Sequence, residues 1–240
     1  MHKAIIALAT RNEGKIRELT ELVAGFPVEI RSLRDFGPIP EAKEDGATFD
    51  DNAYQKALFT AKVLGIPAMA DDSGLVVPAL DGAPGVYSAR YAGEQASDAD
   101  NIRKLLAAME GKSDRRAAFE CVVSIAVPSG PALTYEGRCE GEITLAPRGK
   151  DGFGYDPVFF YPPLGKTFAE LTLEEKNAVS HRGQALAQVR QELAKILTWL
   201  SQRLREVKPP KPDHAEFADN DWSQQEWRPP CAKKGGATTV

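Results

Sequence analysis

Two adjacent acidic residues inside an apolar stretch constrain the fold of this chain more than any other sequence feature. The stretch AMADDSGLVV places Asp71 and Asp72 between two apolar runs, residues 67–70 and 75–80, which we predict as two separate strands. Neighbouring carboxylates repel each other, and removing them from water adds a further cost. A fold that holds the pair near its core must offset that cost with a metal ion, a shared proton or a helix N-terminus.

Strand and helix patterns alternate along the chain as far as about residue 205. A continuous apolar run at residues 3–9 is typical of a buried strand, and residues 49–65 have helical spacing that ends at a glycine. Long strand-like segments at residues 117–128 and 132–147 predict a hairpin. We therefore predict an α/β fold with a mixed sheet, built as one domain with two lobes.

The composition argues against several classes of protein. A net charge of −4 offers no general basic surface for nucleic acid. The three cysteines contain no C-x-x-C pair, which argues against a disulfide framework or a zinc site. No apolar run approaches the ~18 residues that suggest a membrane span. We expect a reduced, cytoplasmic protein with neither a membrane nor a nucleic acid as partner.

The segment 206–240 differs in composition from the rest of the chain. It is rich in proline and charge, has no sustained hydrophobic period, and contains Trp222 and Trp227. Such a segment cannot bury enough apolar surface to form a core of its own. We predict a folded domain over residues 1–205 and a disordered tail over residues 206–240, whose tryptophans could anchor a partner.

The acidic pair has two chemical interpretations. The sequence D-S-G after an apolar run resembles the active-site turn of an aspartic protease, which needs two such aspartates that share a proton. This chain has one D-S-G, so a protease would require dimer symmetry. The other interpretation is a divalent cation held by carboxylates near a phosphate, with one acid available to activate water.

The loop TRNEGK favours the second interpretation because it predicts an anion site. It follows a predicted strand and precedes a predicted helix, so backbone N–H groups and the helix dipole favour an anion there. It lacks the glycines and the Gly-Lys-Ser/Thr of a P-loop. The candidate phosphate-binding residues are Thr10, Arg11, Asn12, Glu13, Gly14 and Lys15.

Two further segments carry side chains suited to a nucleotide base. In GFGYDP, glycines on both sides of Phe153 allow a ligand to approach the backbone, and an exposed ring can stack on a base. In EEKNAVSHRGQAL, a group of cationic or hydrogen-bond-donating side chains surrounds the start of a predicted helix, namely Lys176, His181 and Arg182. Donors of this kind suit a nucleotide.

The motifs together are more specific than any one of them. The sequence contains, in this order, T-x-N-x-x-K, A-D-D-S-G-L, G-A-P-G-x-Y-S-A-R-Y, G-F-G-Y-D-P-x-F and E-E-K-x-x-x-S-H-R-G. From residue 1 to about residue 200 the chain closely resembles the inosine triphosphate pyrophosphatase family, and bacterial members most of all. The tail lies outside this resemblance.

The resemblance implies a fold, a reaction and a cofactor. Members of the family are elongated α/β proteins with a long mixed sheet, flanking helices and two lobes around a central nucleotide cleft, usually as homodimers. They hydrolyse ITP, dITP and XTP between the α- and β-phosphates and require Mg²⁺. The products are the monophosphate and pyrophosphate. The resemblance thus implies a homodimeric hydrolase that removes non-standard purine triphosphates from the nucleotide pool.

The resemblance also implies roles for the residues at matching positions. Asp72 matches the proton acceptor for the attacking water. Glu44 and Asp72 match the magnesium-associated acids, and Asp71 neighbours the metal. Lys43 stands before Glu44, where the bacterial pattern often has a second acid. The implied substrate contacts are Lys56 toward phosphate, Ser73, and a base pocket of Phe153, Gly154, Tyr155, Asp156, Lys176, His181 and Arg182.

A nucleotide-binding sensor without turnover is the non-enzymatic alternative. Such a protein could keep the base pocket and dispense with the catalytic base, so the presence of Asp72, Glu44 and Lys15 together argues against it. As hydrogen-bond donors, His181 and Arg182 would bind the O6 atom of hypoxanthine or xanthine, which is an acceptor. Adenine has a 6-amino donor at the same place and would leave a buried donor of the protein unpaired, so a site of this kind rejects adenine strongly.

Removal of the tail should leave the enzyme intact. Truncation after Val207 is expected to preserve ITP hydrolysis and the melting temperature, because Pro209, Pro210 and Pro212 separate the tail from the last predicted helix. Both properties can be measured on the full and truncated chains, with limited proteolysis of the full chain expected to cut first beyond Val207. A much lower melting temperature would identify the tail as a docked arm.

Overall fold

The computed structural model describes residues 4–40 and 42–206, which form a mixed sheet with helices on its faces. Apart from Glu206, the predicted tail lies outside these residues. In chain order the strands and α-helices are β1 (Ala4–Leu8), α1 (Glu13–Leu22), β2 (Val28–Ser32), α2 (Phe49–Leu64), β3 (Ala68–Val76), α3 (Asp98–Ala108), β4 (Arg116–Ala126), β5 (Ala132–Ile143), β6 (Phe159–Tyr161), β7 (Lys166–Thr167), α4 (Leu173–Val179) and α5 (His181–Glu206).

Within the described residues the sheet has seven strands in the order β2-β1-β3-β4-β5-β6-β7. β1 pairs in parallel with both β2 and β3, whereas the pairs from β3 to β7 are antiparallel. The predicted hairpin is the β4–β5 pair, which extends from Arg116 opposite Glu142 to Ala126 opposite Ala132. The predicted α/β class with a mixed sheet and flanking helices is confirmed.

Helices cover both faces of the sheet near β1. Side chains of a strand alternate between its two faces. Accordingly Ile6 packs in one cluster with Leu19 of α1 and Val189 of α5, whereas its neighbour Ala7 packs in another with Ala57 of α2. The all-apolar sequence of β1 is therefore explained by burial on both sides.

A separate cluster forms the other lobe. It contains Leu105 of α3 and three aromatic rings in mutual contact, with centroids 4.5 Å apart for Phe119 and Phe159 and 4.7 Å apart for Phe159 and Phe168. Phe119 belongs to β4, which also contributes Val123 to the cluster around α5. The long central strands thus connect two hydrophobic cores, as the predicted two-lobed domain requires.

The acidic pair lies inside one strand, so the prediction of two separate strands is wrong. β3 continues without a break through Asp71 and Asp72, and all nine of its residues are paired with β4. The chain leaves the strand only at a short 3₁₀ turn, Pro78–Leu80. Because side chains alternate along a strand, the two carboxylates point to opposite faces of the sheet.

The start of α5 lies directly against β5 because Gly137 has no side chain. A Cβ atom at Gly137 would lie 2.0 Å from the carbonyl oxygen of His181 and 2.8 Å from the backbone nitrogen of Ala185. No real Cβ atom tolerates such contacts. This close approach determines where the first turn of α5, with His181 and Arg182, meets the sheet.

Gly137→Ala should therefore destabilise the protein. The added methyl group must push α5 away from β5. Overpacking of this kind lowers the free energy of unfolding by at least ~1–3 kcal/mol. Urea denaturation measures the change. Glu136→Ala, an exposed neighbour on the same strand, is the control and should shift the free energy of unfolding by no more than ~0.5 kcal/mol. Equal stability of the two variants would contradict this packing argument.

Candidate active site

The candidate phosphate loop connects β1 to α1 and is held by its own side chains. The Asn12 side chain caps α1 by accepting a hydrogen bond from the backbone N–H of Lys15 at 3.1 Å. The hydroxyl of Thr10 accepts one from the backbone N–H of Asn12 at 3.2 Å. Both residues line a cavity of about 310 Å³ together with Lys15. The loop is thus placed to bind an anion at a helix start.

The remaining loop residues have different surroundings. Arg11 lines the same cavity and donates a hydrogen bond to the carbonyl oxygen of Ile39 at 3.0 Å. Glu13 instead forms an exposed ion pair with Arg34. Gly14 lies against the ring of Phe153, because a Cβ atom on this glycine would be 3.1 Å from Cε1 of that ring. The phosphate loop therefore contacts the candidate base loop.

Asp72 lies on the α2 side of the sheet. Its Oδ1 accepts a hydrogen bond from Nζ of Lys56 at 2.7 Å, and its Oδ2 one from Nδ2 of Asn52 at 3.3 Å. Nζ of Lys56 also lies 3.4 Å from Oε1 of Glu44. The structure thus brings Glu44, Lys56 and Asp72 together at the same cavity as the phosphate loop.

Burial and the neighbouring charges shift the pKa values of Asp72 and Lys56. Burial raises the pKa of Asp72 above that of an ordinary aspartate, and although Lys56 opposes the shift, burial prevails. Burial would lower the pKa of Lys56, but the negative charges of Asp72 and Glu44 outweigh it and raise that pKa. Lys56 therefore stays protonated, and Asp72 is a stronger base than a solvated aspartate.

Asp71 lies on the opposite face, where α1 and α5 pack. Its Oδ2 is 2.9 Å from Nζ of Lys15 and 3.1 Å from Nε of Arg182. Nη2 of Arg182 also donates to the hydroxyl of Ser73 at 2.9 Å. Burial acts to raise the pKa of Asp71, but the charges of Lys15 and Arg182 prevail and hold the pKa well below its usual range. The carboxylate is therefore ionised.

The candidate base pocket is built around Phe153. Nζ of Lys176 lies 4.5 Å from the centre of the Phe153 ring, and Cζ of Arg182 lies 5.6 Å from it. Asp156, which is buried, accepts hydrogen bonds from Lys176 at 2.8 Å and from the backbone N–H of Phe153 at 2.9 Å. These residues line a second cavity, which shares Asn12 and the phosphate-loop lysine with the first.

Gly154 and Tyr155 fix the candidate base loop to the start of α3 and to the 3₁₀ turn Gly85–Arg90. The backbone N–H of Gly154 donates to the carboxylate of Asp98 at 2.7 Å, and the buried Tyr155 donates its hydroxyl proton to the carbonyl oxygen of Ser88 at 2.9 Å. Burial raises the pKa of Tyr155, so the phenol keeps its proton. Tyr155 therefore anchors the loop through its hydroxyl.

His181 is a neutral residue in the folded protein. It is buried, and its ring is stacked on Phe119 with centroids 4.6 Å apart. Burial first, and then the charges of Arg182 and Lys176, lower the pKa of His181 well below its usual value. Its Nδ1 has no hydrogen-bond partner within the described structure. A neutral imidazole offers one donor and one acceptor, so His181 keeps the hydrogen-bond donor that the sequence predicts for it without carrying a charge.

Several residues in the site were missed by sequence reasoning. Asn52 lies one helical turn before Lys56, so the spacing of α2 could have identified it as a second contact of Asp72. Ser88 and Arg90 belong to the G-A-P-G-x-Y-S-A-R-Y motif but were given no role. Arg90 donates to the backbone carbonyl of Glu44 at 3.1 Å and so supports that loop. No local signal indicated Asp98.

The donor set fits a magnesium ion that also binds phosphate. Within the described residues no three acidic, histidine or cysteine side chains form a metal cluster. Glu44 and Asp72 converge on one cation, the ammonium group of Lys56, whose Nζ lies 3.4 Å from Oε1 of Glu44 and 2.7 Å from Oδ1 of Asp72. Mg²⁺ is usually bound by one or two carboxylates together with substrate phosphates, which matches this pair. Asp71, on the other face of β3, does not join them.

An anion-binding helix start and an aromatic pocket beside one mixed sheet define a nucleotide-binding α/β protein. Comparison with known proteins identifies the family more specifically than the fold and the site do. The model of the Ham1 family matches residues 6–192. The chain belongs to this family, which confirms the resemblance inferred from the motifs.

Two relatives with high sequence identity to this chain carry the same name, dITP/XTP pyrophosphatase. The dITP/XTP pyrophosphatase of Desulfotalea psychrophila is 63% identical over 220 residues, 92% of this chain and 99% of its own. That of Syntrophobacter fumaroxidans is 64% identical over 203 residues, 85% of this chain and 88% of its own. Because the first match covers 92% of this chain, it extends into the predicted tail.

Solved structures share the fold. A HAM1 protein from Coxiella burnetii has a TM-score of 0.76 and 46% identity, and the match covers 80% of this chain and 99% of that one. The Staphylococcus aureus Ham1 protein has a TM-score of 0.73 and 42% identity, with 80% of this chain and 98% of that chain covered. The architecture around the site is therefore that of the family.

The neutral state of His181 should make the protein less stable in mild acid. Below the ordinary histidine pKa of 6.5 the unfolded chain binds a proton that the folded protein, with its lower pKa, does not. The contribution to stability is therefore complete above that pH and is lost as the pH falls below it. His181→Phe, which can keep the stacking on Phe119, should reduce the loss of unfolding free energy between pH 7.5 and 5.5 by about 1 kcal/mol.

Urea denaturation at both pH values measures this difference. Other titrating groups are common to the two proteins, so the difference between them reports on residue 181. An equal loss of stability in the wild type and in His181→Phe would show that the histidine is protonated in the folded state.

Proposed function

We propose that this protein hydrolyses the non-standard purine triphosphates ITP, dITP and XTP to the monophosphate and pyrophosphate, and so removes them from the nucleotide pool. The observation that carries the proposal is the arrangement of Asp72, a buried carboxylate with a raised pKa, at the same cavity as the phosphate loop and next to an aromatic pocket. The relatives named dITP/XTP pyrophosphatase support the same substrate class.

Asp72 is the base of the reaction. It accepts a proton from a water molecule whose oxygen forms the new bond to phosphorus, while the bond between the bridging oxygen and the α-phosphate breaks and pyrophosphate leaves. Lys56 and Asn52 hold the carboxylate in one orientation. Positioned acid–base catalysis of this kind contributes ~10²–10⁴-fold to the rate.

Positive charges around the cavity balance the negative charge of the triphosphate. Lys15 and Lys56 approach the cavity from opposite faces of β3, and the backbone N–H groups at the start of α1 favour the same anion. Glu44 and Asp72 would hold Mg²⁺, which supplies charge neutralisation for the phosphate oxygens and the leaving pyrophosphate. The two lysines orient the phosphate chain relative to the Asp72 carboxylate.

The base pocket selects a purine with an oxygen at position 6. The ring of Phe153 provides a stacking surface, and base stacking on an aromatic ring is worth ~1–3 kcal/mol. Lys176 and Arg182 supply permanent donors, and the neutral His181 supplies one more. An O6 acceptor satisfies such donors, whereas a 6-amino group leaves them unpaired.

The assembly and location are also part of this proposal. We propose a homodimer in the cytoplasm, as the resemblance implies, with a purine nucleoside triphosphate as its substrate. Among the helices of residues 4–40 and 42–206, none has the length and apolar character to cross a bilayer. Light scattering of the purified protein would test the dimer.

The products and one variant test the reaction. With Mg²⁺, ITP should yield IMP and pyrophosphate, separated by ion-exchange chromatography. Asp72→Asn should lower turnover by at least ~10²-fold, because the amide cannot accept the proton. The fold should persist, since the change removes a buried charge. Asp114→Asn, an exposed aspartate paired with Arg116, is the control and should retain full turnover.

Other outcomes would favour other functions. Release of IDP and orthophosphate would contradict the assignment of the bond that is broken. Near-normal turnover in Asp72→Asn would exclude Asp72 as the base. Binding of ITP without turnover would indicate the nucleotide sensor. Inhibition by EDTA together with insensitivity to pepstatin would exclude the aspartic protease.

A further inference from the structure

Asp71 connects the two parts of the site that face opposite ends of a nucleotide. One oxygen, Oδ2, lies 2.9 Å from Nζ of Lys15 in the phosphate loop and 3.1 Å from Nε of Arg182 in the base pocket. The Asp71 side chain is 1% exposed, so water does not weaken these pairs as it does at a surface. A single carboxylate oxygen therefore balances one cation from each half of the site.

Arg182 is oriented by several contacts around Asp71. Its Nη2 donates to the hydroxyl of Ser73, which is two residues further along the same face of β3. The Ser73 hydroxyl lies 3.5 Å from Oδ2 of Asp71. The guanidinium group also lies over the ring of Phe153. The direction in which Arg182 faces the base cavity thus depends on the Asp71 carboxylate.

We propose that Asp71 is a positioning residue that couples recognition of the triphosphate to recognition of the purine base, through Lys15 and Arg182. This inference rests on the proposed function, which places phosphate beside Lys15 and the base beside Arg182. An ammonium group has three donors, so Lys15 can keep its bond to Asp71 while it binds a phosphate oxygen. Because the two cations share one charge, the position of each depends on the other.

The coupling makes a residue of the phosphate loop matter for base selection. Without Lys15 the full charge of Asp71 acts on Arg182 and draws the guanidinium group toward the strand. Without the Asp71 charge, two neighbouring cations repel each other and Arg182 loses its anchor. Both changes displace the donors that recognise O6. Asp71 does not line the base cavity, whereas Lys15 lies where the two cavities meet, so the Asp71 variant is the arm that acts through position alone.

Base selectivity tests the proposal, because ITP and ATP carry the same triphosphate and differ at position 6. If Lys15 acted on the phosphates alone, Lys15→Met would lower kcat/KM for both substrates alike. Coupling predicts that the ITP-to-ATP ratio of kcat/KM falls at least ~5-fold in Lys15→Met and in Asp71→Asn. In the double variant the ratio should fall no further than in Asp71→Asn alone.

Lys56→Met is the matched control. Lys56 is the other lysine at the phosphate cavity, but its partners Asp72 and Glu44 lie on the opposite face of β3 from Arg182. Its removal should lower kcat/KM for both substrates and leave the ratio unchanged. Melting temperatures of all variants separate positioning from a merely structural role, which would lower stability without a change in the ratio. Lys15 is partly exposed, so the Lys15→Met arm does not depend on the folding of Asp71→Asn.

Two results would overturn the proposal. These are a ratio within ~2-fold of the wild type in Lys15→Met and an equal loss of the ratio in Lys56→Met. If the wild type releases no pyrophosphate from ITP, the proposed function fails instead, so the two failures are distinguishable.

Discussion

The alternation of side chains along β3 is the constraint on which the rest of the site depends. Two carboxylates in adjacent positions would repel each other on one surface, but a strand directs Asp71 and Asp72 to opposite faces. Each then meets its own cation, Lys15 on one side and Lys56 on the other. The same backbone geometry gives the two acids different chemistry, since the pKa of Asp71 is lowered whereas that of Asp72 is raised.

Local signals in the sequence were sufficient for most of the fold. The helical spacing of residues 49–65 and the closing Gly65 predicted α2 almost to the residue. The division of β3 was wrong because Asp, Ser and Gly are favoured in turns. Pairing with β4 along the whole strand overrides that local preference.

The contacts that make the site could not be read from local patterns. Asp71 and Arg182 are 111 residues apart in the chain, and the Tyr155 hydroxyl bonds to Ser88 across 67 residues. The ordered set of motifs is the one sequence signal that places these distant residues in a common site. Even the motifs did not indicate the neutral state of His181, which follows from burial and two nearby cations.

The contact between Gly14 and Phe153 has a consequence for the affinity of the site. The candidate phosphate loop and the candidate base loop touch, since a Cβ atom on Gly14 would lie 3.1 Å from the Phe153 ring. Part of the conformational entropy of ordering these loops is therefore lost during folding and does not oppose binding. More of the contact energy with a nucleotide then remains as affinity, because the two loops are held next to each other by the fold.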